Sequence, residues 1–136
     1  MHALKLTGRI ATALVVAAAL AGAARADDRA VKVASKEKIG SYLTDASGMA
    51  LYVFKKDSPG KSACAGDCVA RWPLYAREKV AATGSLRAED FGTITRDDGK
   101  PQTTYKGMPL YYFAGDKAAS DTNGQGVKDV WFLATP

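Results

Sequence analysis

The chain contains one ten-residue pattern twice. Residues 48–57 read GMALYVFKKD and residues 107–116 read GMPLYYFAGD, with six of the ten positions identical at a separation of 59 residues. The same separation relates Trp72 to Trp131. A unit that occurs twice in so short a chain predicts two related halves, neither of which buries its apolar surface alone, joined around a pseudo-two-fold axis.

The residues in and around the repeated pattern favour β structure. In residues 49–54 apolar side chains occupy both alternating faces, and the second copy does the same, which predicts a strand covered on both sides. Turn-forming residues separate about seven short strands at spacings of about 8–12 residues. The sequence therefore predicts an all-β fold, a small β-sandwich or barrel built from two pseudo-symmetric repeats, with one or two short helical turns.

Residues 1–26 have the order of regions that is typical of a secretory signal peptide. Lys5 and Arg9 precede an apolar run at 10–24, and Ala24-Arg25-Ala26 follows as a small-residue cleavage site. We expect cleavage near Ala26 and an exported chain, periplasmic or secreted, without a transmembrane segment. The remainder is predicted to consist of a polar lead-in at 27–38 and a single β domain at 39–136, with repeats at about 39–75 and 94–136.

Several chemistries are excluded by residue type. Histidine occurs once, as His2 in the predicted signal segment, so the exported part offers no imidazole to a catalytic nucleophile or to a metal. Loss of Lys5, Arg9 and Arg25 with that segment lowers the formal net charge from +5 to +2, which is not typical of a nucleic-acid-binding domain. We therefore expect no enzyme activity, no catalytic residues, no cofactor and no nucleic-acid partner.

The repeated pattern also carries a resemblance to a known family. Tyr52-Val-Phe-Lys-Lys-Asp57 and Tyr111-Tyr-Phe-Ala-Gly-Asp116 both fit Y-x-F-x-x-D. Over roughly residues 38–136 the chain resembles the bacterial secreted repeat family of predicted lipoproteins with a Yx(F/W/Y)xxD motif, whose function is unknown. The resemblance implies a role at the cell envelope. No cysteine follows the apolar run, so the lipid anchor implied by the family description has no attachment residue there.

The motif residues allow two interpretations. The structural one makes the aromatic side chains part of the core and the two aspartates acceptors of backbone N–H groups in the following turns. The functional one makes the aromatics a ligand-stacking platform and the aspartates a carboxylate pair for acid–base chemistry or for a cation. The pattern favours the structural interpretation for Tyr52, Phe54, Asp57, Trp72, Tyr111, Phe113, Asp116 and Trp131.

Cys64 and Cys68 are the only cysteines of the chain. In an exported protein such a pair predicts a disulfide, and the spacing is compatible with one. The alternative is a pair of thiolates that acts in redox chemistry or binds Cu(I), with Met49 or Met108 as additional soft ligands.

The loop that begins at Asp121 resembles part of a calcium-binding loop. Asp121, Asn123 and Gln125 place oxygen atoms at alternating positions, but Phe132 stands where the bidentate glutamate is expected. An ordinary glycine-rich turn is therefore favoured over a metal site.

The leading hypothesis is an exported, non-catalytic envelope or periplasmic module that binds an unknown envelope protein or small ligand, or serves a structural role. The alternative is a periplasmic metal-binding or electron-transfer accessory protein that uses the loop of Cys64 and Cys68 or the acidic loops. A hydrolase built on Asp57 and Asp116, or on the Asp97-Asp98 pair, is the third hypothesis.

Overall fold

A computed structural model describes residues 28–136. The predicted signal peptide and its cleavage site lie outside the described residues.

The described part of the chain is built mainly from short strands. There are eight strands, one α-helix and two single-turn 3₁₀ segments. The strands are β1 (Ala30–Lys36), β2 (Gly40–Thr44), β3 (Tyr52–Phe54), β4 (Ala81–Ala82), β5 (Phe91–Thr95), β6 (Pro101–Tyr105), β7 (Met108–Pro109) and β8 (Trp131–Leu133). The helix is α1 (Asp67–Arg71), and the 3₁₀ turns are Ala88–Asp90 and Val127–Asp129. The predicted all-β class with little helix is confirmed.

The strands form three small sheets with the orders β2-β1-β4, β3-β8 and β5-β6-β7. None of these sheets closes on itself, so the architecture is not a barrel. Residues 30–36, which the sequence assigns to a polar lead-in, form the central strand β1. It pairs with β2 on one side and β4 on the other. Val31 is completely buried, while Lys32 next to it stays in solvent.

The two halves exchange their closing segments. Strand β3 of the first half pairs antiparallel with β8 of the second half, with Tyr52 opposite Leu133. At the equivalent place, Tyr111 of the second half bridges Leu74 of the first, and both partners are shifted by the same 59 residues. Tyr52 and Tyr111 also bond to each other, through N–H···O contacts of 2.8 and 3.0 Å. The predicted pseudo-symmetry is therefore present, and it is built from interlocked halves.

The repeated strand divides the interior into two apolar clusters. Leu51 and Leu110 lie in one cluster, and Tyr52 and Tyr111 lie in the other, all four with no exposed surface. Successive residues of a strand point to opposite faces, so one extended segment contributes to both clusters. The predicted burial of both faces is confirmed, but the regular strand is shorter than predicted and covers Tyr52–Phe54 in the first copy and Met108–Pro109 in the second.

The exchange of segments predicts that neither half folds alone. We expect monomeric fragments 28–84 and 85–136 to lack cooperative unfolding when separate, because each lacks the partner of its motif strand. Mixing them is expected to restore the near-ultraviolet circular dichroism of the intact chain. A single monomeric fragment with a cooperative thermal transition would contradict this prediction.

Candidate functional site

Each repeat's motif tyrosine donates a hydrogen bond to the aspartate of the other repeat. The Tyr52 hydroxyl lies 2.6 Å from Asp116 Oδ2, and the Tyr111 hydroxyl lies 2.7 Å from Asp57 Oδ2. All four residues are buried. The motif therefore works in pairs, since the Tyr and Asp of one copy find their partners only in the second copy.

The second oxygen of each carboxylate is bound by the loop that follows it. Asp57 Oδ1 accepts the N–H of Ala63 at 2.6 Å, and Asp116 Oδ1 accepts the N–H of Asn123 at 2.9 Å. Each carboxylate thus accepts one hydroxyl and one backbone N–H. The backbone N–H bond holds the turn closed, and the tyrosine hydroxyl bond joins that turn to the opposite repeat.

Burial dominates the proton equilibria of this network. Loss of water raises the pKa of Asp57, and the opposing effects of the Ala63 N–H, the Tyr111 hydroxyl and Arg96 only partly offset it. Burial also raises the pKa values of Tyr52 and Tyr111 far above the ordinary value of 10.0, with the neighbouring carboxylates adding to the effect. Both tyrosines therefore remain hydrogen-bond donors at all physiological pH values.

Four aromatic rings stack continuously on one another across the pseudo-axis, and they are here called the aromatic stack. Its order is Phe54, Trp131, Trp72 and Phe113. The outer pairs have ring-centroid distances of 4.1 and 4.4 Å, and the two tryptophans at the centre lie 3.8 Å apart and 3° from parallel. Each tryptophan also meets a motif tyrosine edge-on, Tyr52 at 5.4 Å and Tyr111 at 5.1 Å.

Gly124 fits against this stack because it has no side chain. A Cβ atom at this position would lie 2.8 Å from Tyr52 Cε1 and 2.9 Å from Trp72 Cη2, closer than such atoms approach. Its N–H points to the Tyr52 hydroxyl oxygen at 3.2 Å. The glycine thus lets the backbone reach the buried hydroxyl that Asp116 also binds.

A cleft of about 560 Å³, here called the axial cleft, opens over the aromatic stack. Half-buried Cys68, Val127 and Val130 line its walls beside the aromatic rings. Cys68 and Val127 occupy equivalent positions of the two repeats, as do the paired rings, so the cleft lies at the pseudo-two-fold axis.

The rim of the axial cleft is charged. It carries the exposed side chains of Lys56, Arg71, Lys128 and Asp67, three cations against one carboxylate. Within residues 28–136 none of these four forms a salt bridge. The sequence interpretation did not single them out. No signal in the sequence marks them, because most positions differ between the two repeats.

Cys64 and Cys68 form a disulfide with an S–S distance of 2.05 Å, so this prediction is confirmed. Asn123 and Val127 occupy the equivalent positions of the second repeat. The bond fixes α1 to the loop after Asp57, and Cys68 brings it to the wall of the axial cleft. The thiolate chemistry of the alternative hypothesis requires that this bond first be reduced.

Arg96 holds the same loop from the other side. Its buried guanidinium donates to Ser62 Oγ at 2.6 Å, to the Cys64 carbonyl at 2.5 Å and to Gln102 Oε1 at 2.9 Å. Arg96 also lowers the pKa of Asp98, with which it forms a salt bridge. Nothing in the sequence signalled that this arginine is buried, since it stands next to an exposed turn.

The remaining polar candidate residues form hydrogen bonds within the fold. Asp121 Oδ2 accepts two backbone N–H groups, Gln125 Oε1 accepts the Leu133 N–H, and Asn123 Nδ2 donates to the Gly115 carbonyl.

Met49 lies three residues before β3 and Met108 lies in β7, both half-buried. Asp97 and Asp98 lie in the exposed turn between β5 and β6. Over the described range 28–136, no group of three or more His, Cys, Asp or Glu residues is placed to hold a metal ion.

Two segments of the chain, 33–76 and 92–135, match the model of a family described as a secreted repeat of unknown function. The chain belongs to this family of secreted repeats. The family resemblance expected from the motif is thereby confirmed, and the two matched segments are themselves 59 residues apart.

No curated protein and no solved structure matches this secreted-repeat protein. In residues 28–136 it has no helix of the length and apolar character that a membrane crossing requires.

Removal of one exchanged hydroxyl is expected to destabilise the secreted-repeat protein. Tyr52→Phe leaves a buried Asp116 oxygen without its hydroxyl donor, which should lower the free energy of unfolding by about 1–3 kcal/mol. Tyr111→Phe should have a similar effect through Asp57. Urea denaturation monitored by tryptophan fluorescence measures both.

Tyr75→Phe provides the matched control. Tyr75 is completely buried, and its hydroxyl has no hydrogen-bond partner in the described part of the chain. Its removal should leave the stability unchanged or raise it. Equal losses for Tyr75→Phe and Tyr52→Phe would mean that the exchanged bond is not the source of the effect.

The buried tyrosines predict a sharp alkaline limit of stability. Burial raises the pKa of Tyr75 to about 12, and it raises those of Tyr52, Tyr111 and Tyr112 further. Because these values exceed the unfolded value, the tyrosines contribute stability that is complete below about pH 10 and is lost as the pH rises above it. In an alkaline titration of the native protein, the tyrosinate absorbance of these residues should therefore increase together with the loss of near-ultraviolet circular dichroism. In the urea-unfolded protein the same absorbance should increase near pH 10. Ionisation of these tyrosines in a protein with native dichroism would refute the prediction.

Proposed function

We propose that this secreted-repeat protein is an exported, non-catalytic module that binds a small flat ligand in the axial cleft. It would act in the periplasm or outside the cell, after removal of the predicted signal peptide. The observation that carries the proposal is the placement of the cleft over the aromatic stack, at the junction of the two repeats.

The walls and floor of the cleft suit a flat apolar ligand. The rings are already fixed by mutual stacking, in which Trp72 and Trp131 have both faces covered and present ring edges to the cleft, while Phe113 at the end of the stack is half-buried. Val127 and Val130 extend the apolar surface beyond the rings. A preformed site of this kind loses little free energy to reorganisation when a ligand enters.

The arrangement of the carboxylates supports a non-catalytic role. Asp57 and Asp116 are buried and bound by protein donors, and neither lines the axial cleft. The mature chain contains no histidine if the predicted signal segment is removed. Asp67 is the one carboxylate among the residues described as lining the cleft, and it has no second carboxylate or histidine there with which to share acid–base work.

The metal-binding or electron-transfer alternative remains a hypothesis with less support. Its thiolates are joined as a disulfide, and the oxygen atoms of Asp121 and Gln125 accept hydrogen bonds from the protein.

Intrinsic fluorescence offers a direct test of the binding function. Trp72 and Trp131 are the only tryptophans of the chain and both lie under the cleft, so a bound ligand should change their emission. Two flat probes, the uncharged phenylnaphthylamine and the anionic anilinonaphthalene sulfonate, should bind saturably at one site per chain. Val130→Phe, which fills the cleft, should weaken binding at least about tenfold through steric exclusion.

Val33→Phe is the matched control, because Val33 is an exposed residue of β1 that does not line the cleft. This variant should bind both probes as the unchanged protein does. Failure of both probes to bind saturably, or equal binding by Val130→Phe and Val33→Phe, would overturn the proposed function.

A further inference from the structure

The two repeats differ systematically at the rim of the axial cleft. The floor is the same in both copies, since Phe54 corresponds to Phe113 and Trp72 to Trp131. The rim is not. Its charged residues and their counterparts 59 positions away are Lys56 and Gly115, Arg71 and Val130, Asp67 and Gly126, and Lys128 and Val69.

Within the described residues the fold pairs none of these four charges, since none of the side chains forms a salt bridge. The other repeat has an uncharged residue at each corresponding place, although residues 67–71 form α1 whereas 126–130 contain a 3₁₀ turn with Gly126 and Lys128 at positive φ. The Arg71 carbonyl accepts the Ala114 N–H at 2.8 Å, and the Val130 carbonyl accepts the Lys55 N–H at the same distance, so the backbone role is identical with either side chain. The charges at the rim are therefore available for a purpose other than folding.

The sign of the rim charge identifies the ligand class. Three cations face one carboxylate, and within the described residues none of the four is neutralised by a salt bridge. A cleft with walls of low dielectric constant concentrates the potential of such charges in its interior. An anionic ligand gains from this potential, whereas a cation is repelled.

We infer that the axial cleft selects small planar anions, in which a flat apolar body carries a carboxylate, sulfonate or phosphate group. The body lies on the aromatic stack, and the anionic group faces Lys56, Arg71 and Lys128. This inference rests on the proposed function, because it specifies the ligand of the same cleft.

Comparison of two probes of similar shape tests the inference. Anilinonaphthalene sulfonate carries one negative charge, and phenylnaphthylamine is its uncharged counterpart. We expect the anion to bind at least about tenfold more tightly, with an affinity that falls as salt is added. The affinity of the uncharged probe should not change with salt.

Charge removal should erase this preference. The triple variant carries Lys56→Gln, Arg71→Gln and Lys128→Asn. Each lost cation is expected to weaken binding of the anionic probe about two- to fivefold and to leave binding of the uncharged probe unaffected. Asparagine is chosen at 128 because Lys128 has a φ of 52°, which asparagine tolerates. Asp67→Asn should have the opposite effect and tighten binding of the anion.

The control is a triple variant with the same change in net charge away from the cleft. Arg29, Lys32 and Lys100 are exposed and do not line it, and their replacement by glutamine should preserve the preference for the anion. Equal, salt-independent binding of both probes would overturn the anion inference and leave the binding function in place. If neither probe binds saturably, both the anion inference and the proposed binding function are overturned. An unchanged preference in the Lys56, Arg71 and Lys128 variant would also refute the inference.

Discussion

The structure depends on one exchange, in which the tyrosine of each repeat binds the aspartate of the other. A buried carboxylate is stable only when its oxygens have donors. Asp57 and Asp116 each obtain one donor from the backbone of the loop that follows and the other from Tyr111 or Tyr52 of the opposite repeat. The same tyrosines bond to each other through their backbones. Neither copy of the motif supplies donors to both oxygens of its aspartate, so the buried hydrogen bonds as well as the core depend on the second copy.

The exchange also explains the position of the axial cleft. Since β3 pairs with β8 and Tyr111 bridges Leu74, the tryptophan that closes each repeat is carried to the other repeat's motif strand. The two tryptophans meet at the pseudo-axis and stack at 3.8 Å. Their outer neighbours complete an aromatic floor that neither repeat possesses alone. The walls and rim can then vary, because the floor and the backbone hold the fold together.

The two repeats secure the loop after the aspartate in different ways. The first uses the disulfide of Cys64 and Cys68 together with the buried guanidinium of Arg96. The second has Asn123 at the position of Cys64, and Gly124 contacts Tyr52 there. Both solutions hold the motif aspartate, yet only the first places α1 and Arg71 at the edge of the cleft. The rim is asymmetric because the two repeats hold the loop after the motif aspartate with different residues.

Sequence periodicity predicted much of this arrangement, because it depends on local properties of the chain. The alternation of apolar residues predicted β strands covered on both faces, the repeat predicted pseudo-symmetry, and the cysteine spacing in an exported chain predicted the disulfide. The interpretation of Asp57 and Asp116 as acceptors in turns also described their contacts with Ala63 and Asn123. The alternation of Val31 and Val33 in the polar lead-in indicates at most an edge strand, whereas residues 30–36 form a strand with neighbours on both sides.

The strand content, the two-fold repetition, the disulfide and the membership of a secreted-repeat family all follow from patterns along the chain. Which half supplies each partner depends on the fold, because a strand's pattern specifies which faces are buried and not which segment covers them. The fold also buries Arg96 and places Lys56, Arg71 and Lys128 on one rim. Those groups lie far apart along the chain, and they meet only because the exchange of closing segments brings both repeats to one axis.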